Sequence, residues 1–175
     1  MCVANDRYVF EPLSEQHNRA AFRCADHQIT AYFRRHALMN TQSRIANAWV
    51  LRDRDTDLIV GFYTLSTASA DFSAVPERFT AQLPRYPVPV ALLGRMGVDR
   101  RFERQGFGKR LVIDALIRVY RQDVMAVYGM VVDPKEGVRD FYTENFDFVP
   151  LGDNSHRLFL HPQSFIHSLS APSSL

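Results

Sequence analysis

Residues 92–117 read LLGRMGVDRRFERQGFGKRLVIDALI and hold the most informative pattern in the chain. The apolar segment 92–98 is long enough for a buried strand, and charged, turn-compatible residues follow it at 99–104. The next loop consists of Arg104, Gln105, Gly106, Phe107, Gly108, Lys109 and Arg110. After the loop, apolar residues recur at helical spacing, at Val112, Ala115, Leu116, Val119 and Tyr120. The pattern therefore predicts a strand, a basic loop with two glycines, and a helix.

This loop suits a ligand that carries phosphate. Glycine lets the backbone approach a ligand closely, and the first N–H groups of a helix have no partner within it. The helix dipole and the flanking Arg104, Lys109 and Arg110 add positive charge. The loop lacks both the Walker ending and the Gly-x-Gly-x-x-Gly pattern, which argues against those nucleotide sites. Gly106 and Gly108 would also serve a tight turn that binds nothing, so the loop alone leaves both interpretations open.

The loop resembles the acetyl-coenzyme A loop of the GNAT family of N-acetyltransferases, Gln/Arg-x-x-Gly-x-Gly/Ala, with Glu103 in place of the first residue. The segment 139–148, RDFYTENFDF, is similar to the family's x-x-Phe-Tyr-x-x-x-Gly-Phe motif. It is one residue longer, and Asp147 replaces the usual glycine. Phe22-x-Cys24, LPRYPVP at 83–89 and LGRMGVD at 93–99 resemble the acetyltransferase toxins of bacterial type II toxin–antitoxin systems. The resemblance covers residues 8–160.

The resemblance implies a site that uses acetyl-CoA as acetyl donor. The backbone of Met96, Gly97 and Val98 would pair with the pantetheine arm, and the loop amides would take the pyrophosphate. Tyr142 is the candidate general acid for the departing thiolate, since a phenol has a reference pKa of about 10. A core tyrosine beside Phe141 is the alternative. The resemblance also implies an aminoacyl-tRNA acceptor whose acetylation blocks translation, a ribbon-helix-helix antitoxin as partner, and a homodimer.

The side chains of 92–98 bear on the acceptor, because they include no Asp, Glu or His that could act as a base. A lysine amine, with a reference pKa of about 10.4, benefits from a base. An α-amino group titrates near about 7.7–8.0, and lower in an ester, so it has a large neutral fraction already. The site therefore favours an aminoacyl ester. A small amine or protein N-terminus as acceptor stays an alternative, as does an idle coenzyme A-binding module that acts through an antitoxin.

Arginine supplies nearly all of the positive charge, since Lys109 and Lys135 are the only lysines. Its planar guanidinium recognises phosphate well, although a GC-rich genome would give the same bias. The RNA-binding candidates are Arg34, Arg35, Arg85, Arg95, Arg100 and Arg101. For Arg34 and Arg35, a solvated helix face is the alternative.

Composition is that of a globular protein, with 46% hydrophobic and 23% charged residues and a net charge of +2. We expect no membrane span, no secretory signal and no metal site, and two reduced cysteines in the cytoplasm. The expected architecture is one α/β (α+β) domain over residues 1–161, followed by a frayed tail at 162–175. Its central, mixed, mostly antiparallel twisted sheet has helices on both faces. The predicted strands are 8–13, 44–52, 58–70, 92–98, 124–132, 147–151 and 157–160. The predicted helical segments are 14–23, 73–83 and 134–145, together with a helix that Asp26 caps and the helix that follows the basic loop.

Overall fold

The computed structural model describes residues 7–153 and 155–170, with side chains as far as Ile166. Seven strands form one sheet in the order β1-β2-β3-β4-β5-β7-β6. They are β1 Tyr8–Pro12, β2 Asn47–Asp53, β3 Leu58–Ala70, β4 Val88–Val98, β5 Gly129–Val132, β6 Val149–Pro150 and β7 Leu158–Leu160. The pair β4–β5 is parallel, whereas β1–β2, β2–β3, β5–β7 and β6–β7 are antiparallel. The predicted α/β fold with a mixed, mostly antiparallel sheet is confirmed.

Six helices accompany the sheet in the described residues. They are α1 His27–Arg35, α2 Ala37–Gln42, α3 Glu77–Thr80, α4 Phe107–Arg121, α5 Arg139–Asn145 and α6 Pro162–Ser170, with short 3₁₀ turns at Arg19–Ala21, Phe72–Ala74 and Arg100–Phe102. The carboxylate of Asp26 accepts hydrogen bonds from the amides of Gln28 (2.7 Å) and Ile29 (3.1 Å). It therefore caps α1 as the sequence predicts.

The chain divides into two compact units. The first contains the residues up to Ser66 together with Gly94–Ala115. The second contains Thr67–Leu93 and the residues from Leu116 onward.

The first unit has a core of apolar side chains from β2, β3, α1 and the segment before α1. Phe22, Phe33 and Phe62 are fully buried, with ring centroids 4.2 to 5.4 Å apart. Aromatic pairs at this separation add to the stabilisation from buried apolar area. They hold the segment before α1, and α1 itself, against β3.

The second unit has its own core around β5, β7 and the start of β4. Val90, Val131 and Phe159 are almost completely buried there. A Cβ built on Gly129 would lie 2.3 Å from the ring of Phe159 and 2.8 Å from the carbonyl oxygen of Leu160. β5 therefore needs glycine at its first residue.

Several predicted elements are shorter in the structure, among them the strands predicted at 44–52 and 147–151, which are observed as Asn47–Asp53 and Val149–Pro150. The helix predicted at 14–23 is reduced to the 3₁₀ turn Arg19–Ala21, because the Ser14 backbone N–H donates to the ring of His17 (3.0 Å) and the Ser14 hydroxyl bonds the same nitrogen instead of capping a helix. The strand predicted at 124–132 begins only at Gly129. The Gln122 side chain bonds the backbone N–H and carbonyl of Met125 (3.0 and 2.6 Å), which makes a local turn there.

The helix predicted at 134–145 also begins later, at Arg139. Gly137 has a φ of +79°, a left-handed conformation that a continuous helix excludes. A turn closed by the Val138 amide and the Lys135 carbonyl (3.0 Å) occupies the preceding residues.

The prediction of a frayed segment is wrong for Pro162–Ser170, which forms α6. Proline suits the first position of a helix, and Phe165 is buried and stacks on Tyr120 with ring centroids 5.6 Å apart. Residues 171–175 of the predicted tail lie outside the described residues. The extent of the acetyltransferase domain, residues 1–161, stays a prediction.

Candidate functional site

The loop between β4 and α4 has two residues in the left-handed conformation, Arg104 (φ 59°) and Gly106 (φ 80°). Helix α4 begins at Phe107, and the Arg110 amide makes its first hydrogen bond four residues back, to the Gly106 carbonyl (3.3 Å). The amides just before Arg110 therefore have no partner within the helix and lie at the positive end of its dipole. A loop of this shape can bind the oxygens of a phosphate group.

Gly106 lies on the open side of the loop, since a Cβ built there would meet nothing within 4 Å. Phe107 is buried and packs edge-to-face on Tyr8, with ring centroids 4.8 Å apart. The exposed guanidinium of Arg110 lies 5.5 Å from the centroids of both rings. Arg104, Gln105 and Lys109 are exposed and Gly108 is half-buried. Phe107 thus anchors the helix start, while charged and backbone groups around it stay accessible.

The second half of β4 contains the three residues whose backbone is predicted to pair with the pantetheine arm of the cofactor. Met96, Gly97 and Val98 are half-buried, and the parallel register with β5 ends before them, at Leu93↔Val132. A Cβ on Gly97 would lie 3.1 Å from a methyl group of Ile29 and 3.2 Å from the sulfur of Cys24. Glycine at this position therefore lets the segment before α1 pack closely on β4.

Asp99, the residue that follows β4, is a buried carboxylate at 1% exposure. It accepts two hydrogen bonds from the Arg101 guanidinium (2.7 and 2.9 Å), one from the Arg101 amide and one from the Arg23 amide. Burial raises the pKa of Asp99, but these bonds outweigh it, and the pKa lies below its usual value. Asp99 thereby ties the start of the loop to the segment before α1.

Tyr142 lies on α5 with 4% of its surface exposed. Its ring contacts Phe141 and Phe148, with centroids 5.0 and 5.5 Å away. Burial raises the pKa of Tyr142 to about 12. Within the described part of the chain its hydroxyl forms no hydrogen bond. The phenol is therefore held protonated at neutral pH, with its donor unused.

The six predicted RNA-binding arginines fall into two groups. Arg34 donates from Nε to the Phe22 carbonyl (2.9 Å), and Arg101 is engaged with Asp99. The guanidinium of Arg95 lies over the ring of Tyr32, 5.3 Å from its centroid. Arg35, Arg85 and Arg100 are exposed. Arg34 and Arg101 thus have structural partners, while the other four present charge at the surface.

Sequence reasoning missed Arg19, whose Nη1 donates to the Arg34 carbonyl (3.1 Å) and whose Nε is buried without a partner in the described residues. No local signal marks it, because its surroundings come from residues fifteen positions away. Among the described residues no group of three or more His, Cys, Asp and Glu side chains is placed to hold a metal ion. No described helix is long and apolar enough to cross a membrane.

Comparison with known proteins relates most of the chain to two proteins named as toxins. It is 32% identical over 139 residues to the tRNA-acetylating toxin of Mycobacterium tuberculosis, covering 78% of this chain and 81% of the relative. It is 28% identical over 171 residues to the probable toxin TacT of Sinorhizobium fredii, covering 92% of this chain and 94% of the relative.

Solved structures share the fold. AtaT complexed with acetyl-methionyl-tRNAfMet superposes with a TM-score of 0.84 at 22% identity, over 93% of this chain and 99% of that one. A tyrosine-to-phenylalanine mutant of KacT has a TM-score of 0.83 at 22% identity, over 92% of this chain and 98% of that one. The sequence profile of the acetyltransferase (GNAT) family matches residues 10–148, a range that holds both the β4–α4 loop and Tyr142. The chain is therefore a member of the acetyltransferase (GNAT) family.

Proposed function

We propose that this chain transfers the acetyl group of acetyl-CoA to the α-amino group of an aminoacyl-tRNA, and so acts as a toxin that blocks translation. The observation that carries the proposal is the 32% identity, over 78% of the chain, to a relative named as a tRNA-acetylating toxin. A structural neighbour solved with acetyl-methionyl-tRNAfMet supports the same acceptor class. Further neighbours are described with acetyl-CoA bound, which supports acetyl-CoA as the donor.

The β4–α4 loop fits the phosphates of the donor. Gly106 is open on the side where a Cβ would project, and the amides of residues 105–109 lie at the positive end of α4. Lys109 and Arg110 add exposed charge beside these amides. The backbone of Met96, Gly97 and Val98 would hold the pantetheine arm by strand-like hydrogen bonds. When bound, the donor supplies an acetyl thioester, and the chain's part is to orient it.

The acceptor amine needs little help to lose its proton. Residues 92–98 of β4 carry no Asp, Glu or His. An ester-linked α-amino group has a pKa below about 8, so a large fraction is already neutral near pH 7. In the transfer, the amine nitrogen bonds the acetyl carbon, the carbon–sulfur bond breaks, and the amine releases its extra proton to water.

Tyr142 is our candidate for the proton that the departing sulfur requires. Its phenol is protonated at neutral pH because burial raises its pKa to about 12. A phenol of this pKa is a weak acid, so donation is efficient only where desolvation raises the pKa of the thiolate as well. Water would restore the phenolic proton after the transfer.

The proposal extends to a protein partner. Neighbours of the same fold are described as AtaT bound to the C-terminus of the antitoxin AtaR, and as a KacTA–DNA complex. We propose that this chain is likewise neutralised by an antitoxin. A ribbon-helix-helix fold for that antitoxin, and a homodimer for the toxin, remain predictions.

The test is acetyl transfer from labelled acetyl-CoA to matched pools of charged tRNA, uncharged tRNA, proteins and polyamines. We expect label in charged tRNA alone. Label in proteins or polyamines instead would replace the acceptor with a small amine or a protein N-terminus. Binding of acetyl-CoA without transfer to any pool would mark an idle cofactor-binding module and overturn the proposal.

A further inference from the structure

A small cavity in the first unit is lined by basic and neutral side chains only. It measures about 360 Å³ and is bounded by His17, Asn18, Arg19, Ala20 and Arg34. The lining contains two guanidinium groups and no carboxylate. His17 adds no further donor, because its Nε2 already bonds a carboxylate oxygen of Glu11 (3.0 Å). The cavity is thus electropositive, and its natural complement is an anion.

Both guanidiniums have donors to spare. Arg19 uses Nη1 for the Arg34 carbonyl (3.1 Å), while its Nε is buried and unpaired in the described part of the chain. Arg34 uses Nε for the Phe22 carbonyl (2.9 Å), and its two terminal nitrogens have no bond to a described residue. A buried, unpaired donor is costly unless a ligand satisfies it. The two backbone bonds also hold the guanidiniums in place, so an anion meets an ordered site.

Further arginines lie on the residues that follow the cavity lining and on the 3₁₀ turn Arg100–Phe102 that is hydrogen-bonded to them. The Arg100 amide donates to the Arg23 carbonyl (2.9 Å), and Nη2 of Arg101 donates to the Ala21 carbonyl (3.1 Å). Arg23 and Arg100 are exposed. A single carboxylate would need one guanidinium fork, whereas several arginines on hydrogen-bonded neighbouring segments fit a ligand that repeats its negative charge.

We propose that the Arg19–Arg34 cavity binds a backbone phosphate of the acceptor RNA, and that Arg23 and Arg100 neutralise neighbouring phosphates. The inference rests on the proposed function for its choice of RNA. Residue Arg100 lies in the 3₁₀ turn that leads into the β4–α4 loop. The cavity would therefore position the RNA without reading its sequence.

The test compares Arg19→Gln and Arg34→Gln with Arg121→Gln, which removes the same charge from an exposed position at the end of α4. Binding of an acceptor-stem RNA hairpin that carries no amino acid is measured by fluorescence anisotropy at several salt concentrations. We expect each cavity variant to bind roughly tenfold more weakly, as for one lost charge-assisted hydrogen bond. Each should lower the slope of log Kd against log salt by about one. Arg121→Gln should keep the wild-type affinity and the wild-type salt slope.

If the midpoint of thermal unfolding of a glutamine variant lies well below that of the wild type, Arg34→Lys is tested in its place. This variant keeps a charge and a donor, so we expect it to retain the salt slope and lose part of the affinity. Wild-type affinity and slope in both Arg19→Gln and Arg34→Gln would overturn the proposal. The proposal would also be overturned if these variants bound RNA normally but no longer bound a poly-glutamate peptide. That result would assign the cavity to a protein carboxylate.

A second arm separates this inference from the proposed function. Acetylation of methionine methyl ester, an acceptor without RNA, should be unchanged in Arg19→Gln. Transfer to the ester by a wild type that binds no hairpin would overturn the phosphate site and leave the transferase chemistry intact. Hairpin binding that depends on Arg19, in a protein that acetylates neither ester nor charged tRNA, would support the phosphate site and overturn the proposed function.

Discussion

Tyr142 combines two features that suit a proton donor. It is buried among aromatic rings, and within the described residues its hydroxyl bonds nothing. Tyr120 is a natural comparison, because it is a half-buried tyrosine whose hydroxyl, unlike that of Tyr142, donates to a carbonyl, that of Leu160 (3.3 Å). The two residues therefore allow the catalytic role of a phenol to be separated from its structural role.

Replacing each tyrosine by phenylalanine should give opposite results. Tyr142→Phe is expected to lower kcat roughly 10²- to 10⁴-fold, the usual contribution of a general acid. It should change the free energy of unfolding by less than about 0.5 kcal/mol, since no protein hydrogen bond is lost. Tyr120→Phe should cost about 1 kcal/mol of stability and keep kcat. Transfer kinetics and urea unfolding measure both, and full activity in Tyr142→Phe would remove Tyr142 from the mechanism.

The pH dependence of kcat/KM follows from the same assignment. The acceptor amine reacts when neutral, so the rate should rise with pH through the pKa of that amine, below roughly pH 8. Tyr142 must stay protonated, and with a pKa of about 12 it loses its proton only in strong alkali. A profile that rises and then stays level to about pH 10 is expected. A fall centred near pH 8 to 9 would mean that another group donates the proton.

The contacts of individual side chains are the feature that the sequence predicts least well. The sequence predicts RNA binding for Arg101, yet Arg101 pairs with Asp99, and no sequence pattern marks Arg19. Both depend on carbonyls and carboxylates brought close by the tertiary fold, such as the Ala21 carbonyl 3.1 Å from Arg101. Only its motif marks Tyr142, because no periodicity distinguishes it from a core tyrosine.

At the scale of elements, the β4–α4 loop is the part of the site that the sequence predicted best. Its glycines, its charge and the apolar period of α4 depend only on residues that are neighbours in the sequence. They can therefore be interpreted without knowledge of the tertiary contacts. β5 was predicted five residues too long at its start, because the turn made by Gln122 lies outside any strand pattern. Local sequence thus placed the loop and left the ends of the neighbouring elements uncertain.

The loop gives a matched pair of glycine variants. Gly106 (φ 80°) and Gly137 (φ 79°) have the same backbone conformation, and a Cβ at either meets nothing within 4 Å. Alanine at each should therefore cost a similar stability, about 1 kcal/mol. Only Gly106→Ala should weaken acetyl-CoA binding, by roughly tenfold or more, because its Cβ projects where the phosphates would lie. Calorimetry of binding and thermal melting check this, and equal affinity in the two variants would contradict a phosphate role for the loop.

At the scale of the whole molecule, two ion pairs make the free energy of unfolding depend on pH. Arg7, just before β1, pairs with Asp53 of β2, and Arg52 of β2 pairs with Glu11 of β1. A hydrogen bond from Arg7 is the main cause that lowers the pKa of Asp53 to about 2, and one from Arg52 does the same for Glu11, also to about 2. Both pKa values are depressed by folding, so their stabilisation is full above about pH 5 and is lost as the pH falls toward 2.

The midpoint of thermal unfolding should therefore fall as the pH is lowered from about 5 to about 2. Asp53→Asn should lower the midpoint at pH 7 and make the acid dependence shallower. Asp123→Asn, a change at an exposed carboxyl after α4, should leave the dependence as it is. Calorimetric melts across this range measure the effect, and an unaltered slope in Asp53→Asn would show that the pair with Arg7 does not control acid stability.

The family and the sheet were predictable for the whole molecule because two motifs recur in order, each next to a strand. Helix α6 was not predictable, since it depends on the burial of Phe165 and its stacking on Tyr120. The class of acceptor is only partly predictable from the sequence. The absence of a base in β4 favours an ester-linked amine, but this argument rests on the pKa of the amine and not on the geometry of the site.

The most direct measurement of the central claim is the mass of the 3′-terminal fragment of charged tRNA after incubation with the protein and acetyl-CoA, followed by nuclease digestion. We predict a terminal adenosine whose amino acid has gained one acetyl group on its α-amino nitrogen, with no gain in uncharged tRNA. A fragment of unchanged mass, obtained while the same protein consumes acetyl-CoA with another amine, would contradict the account.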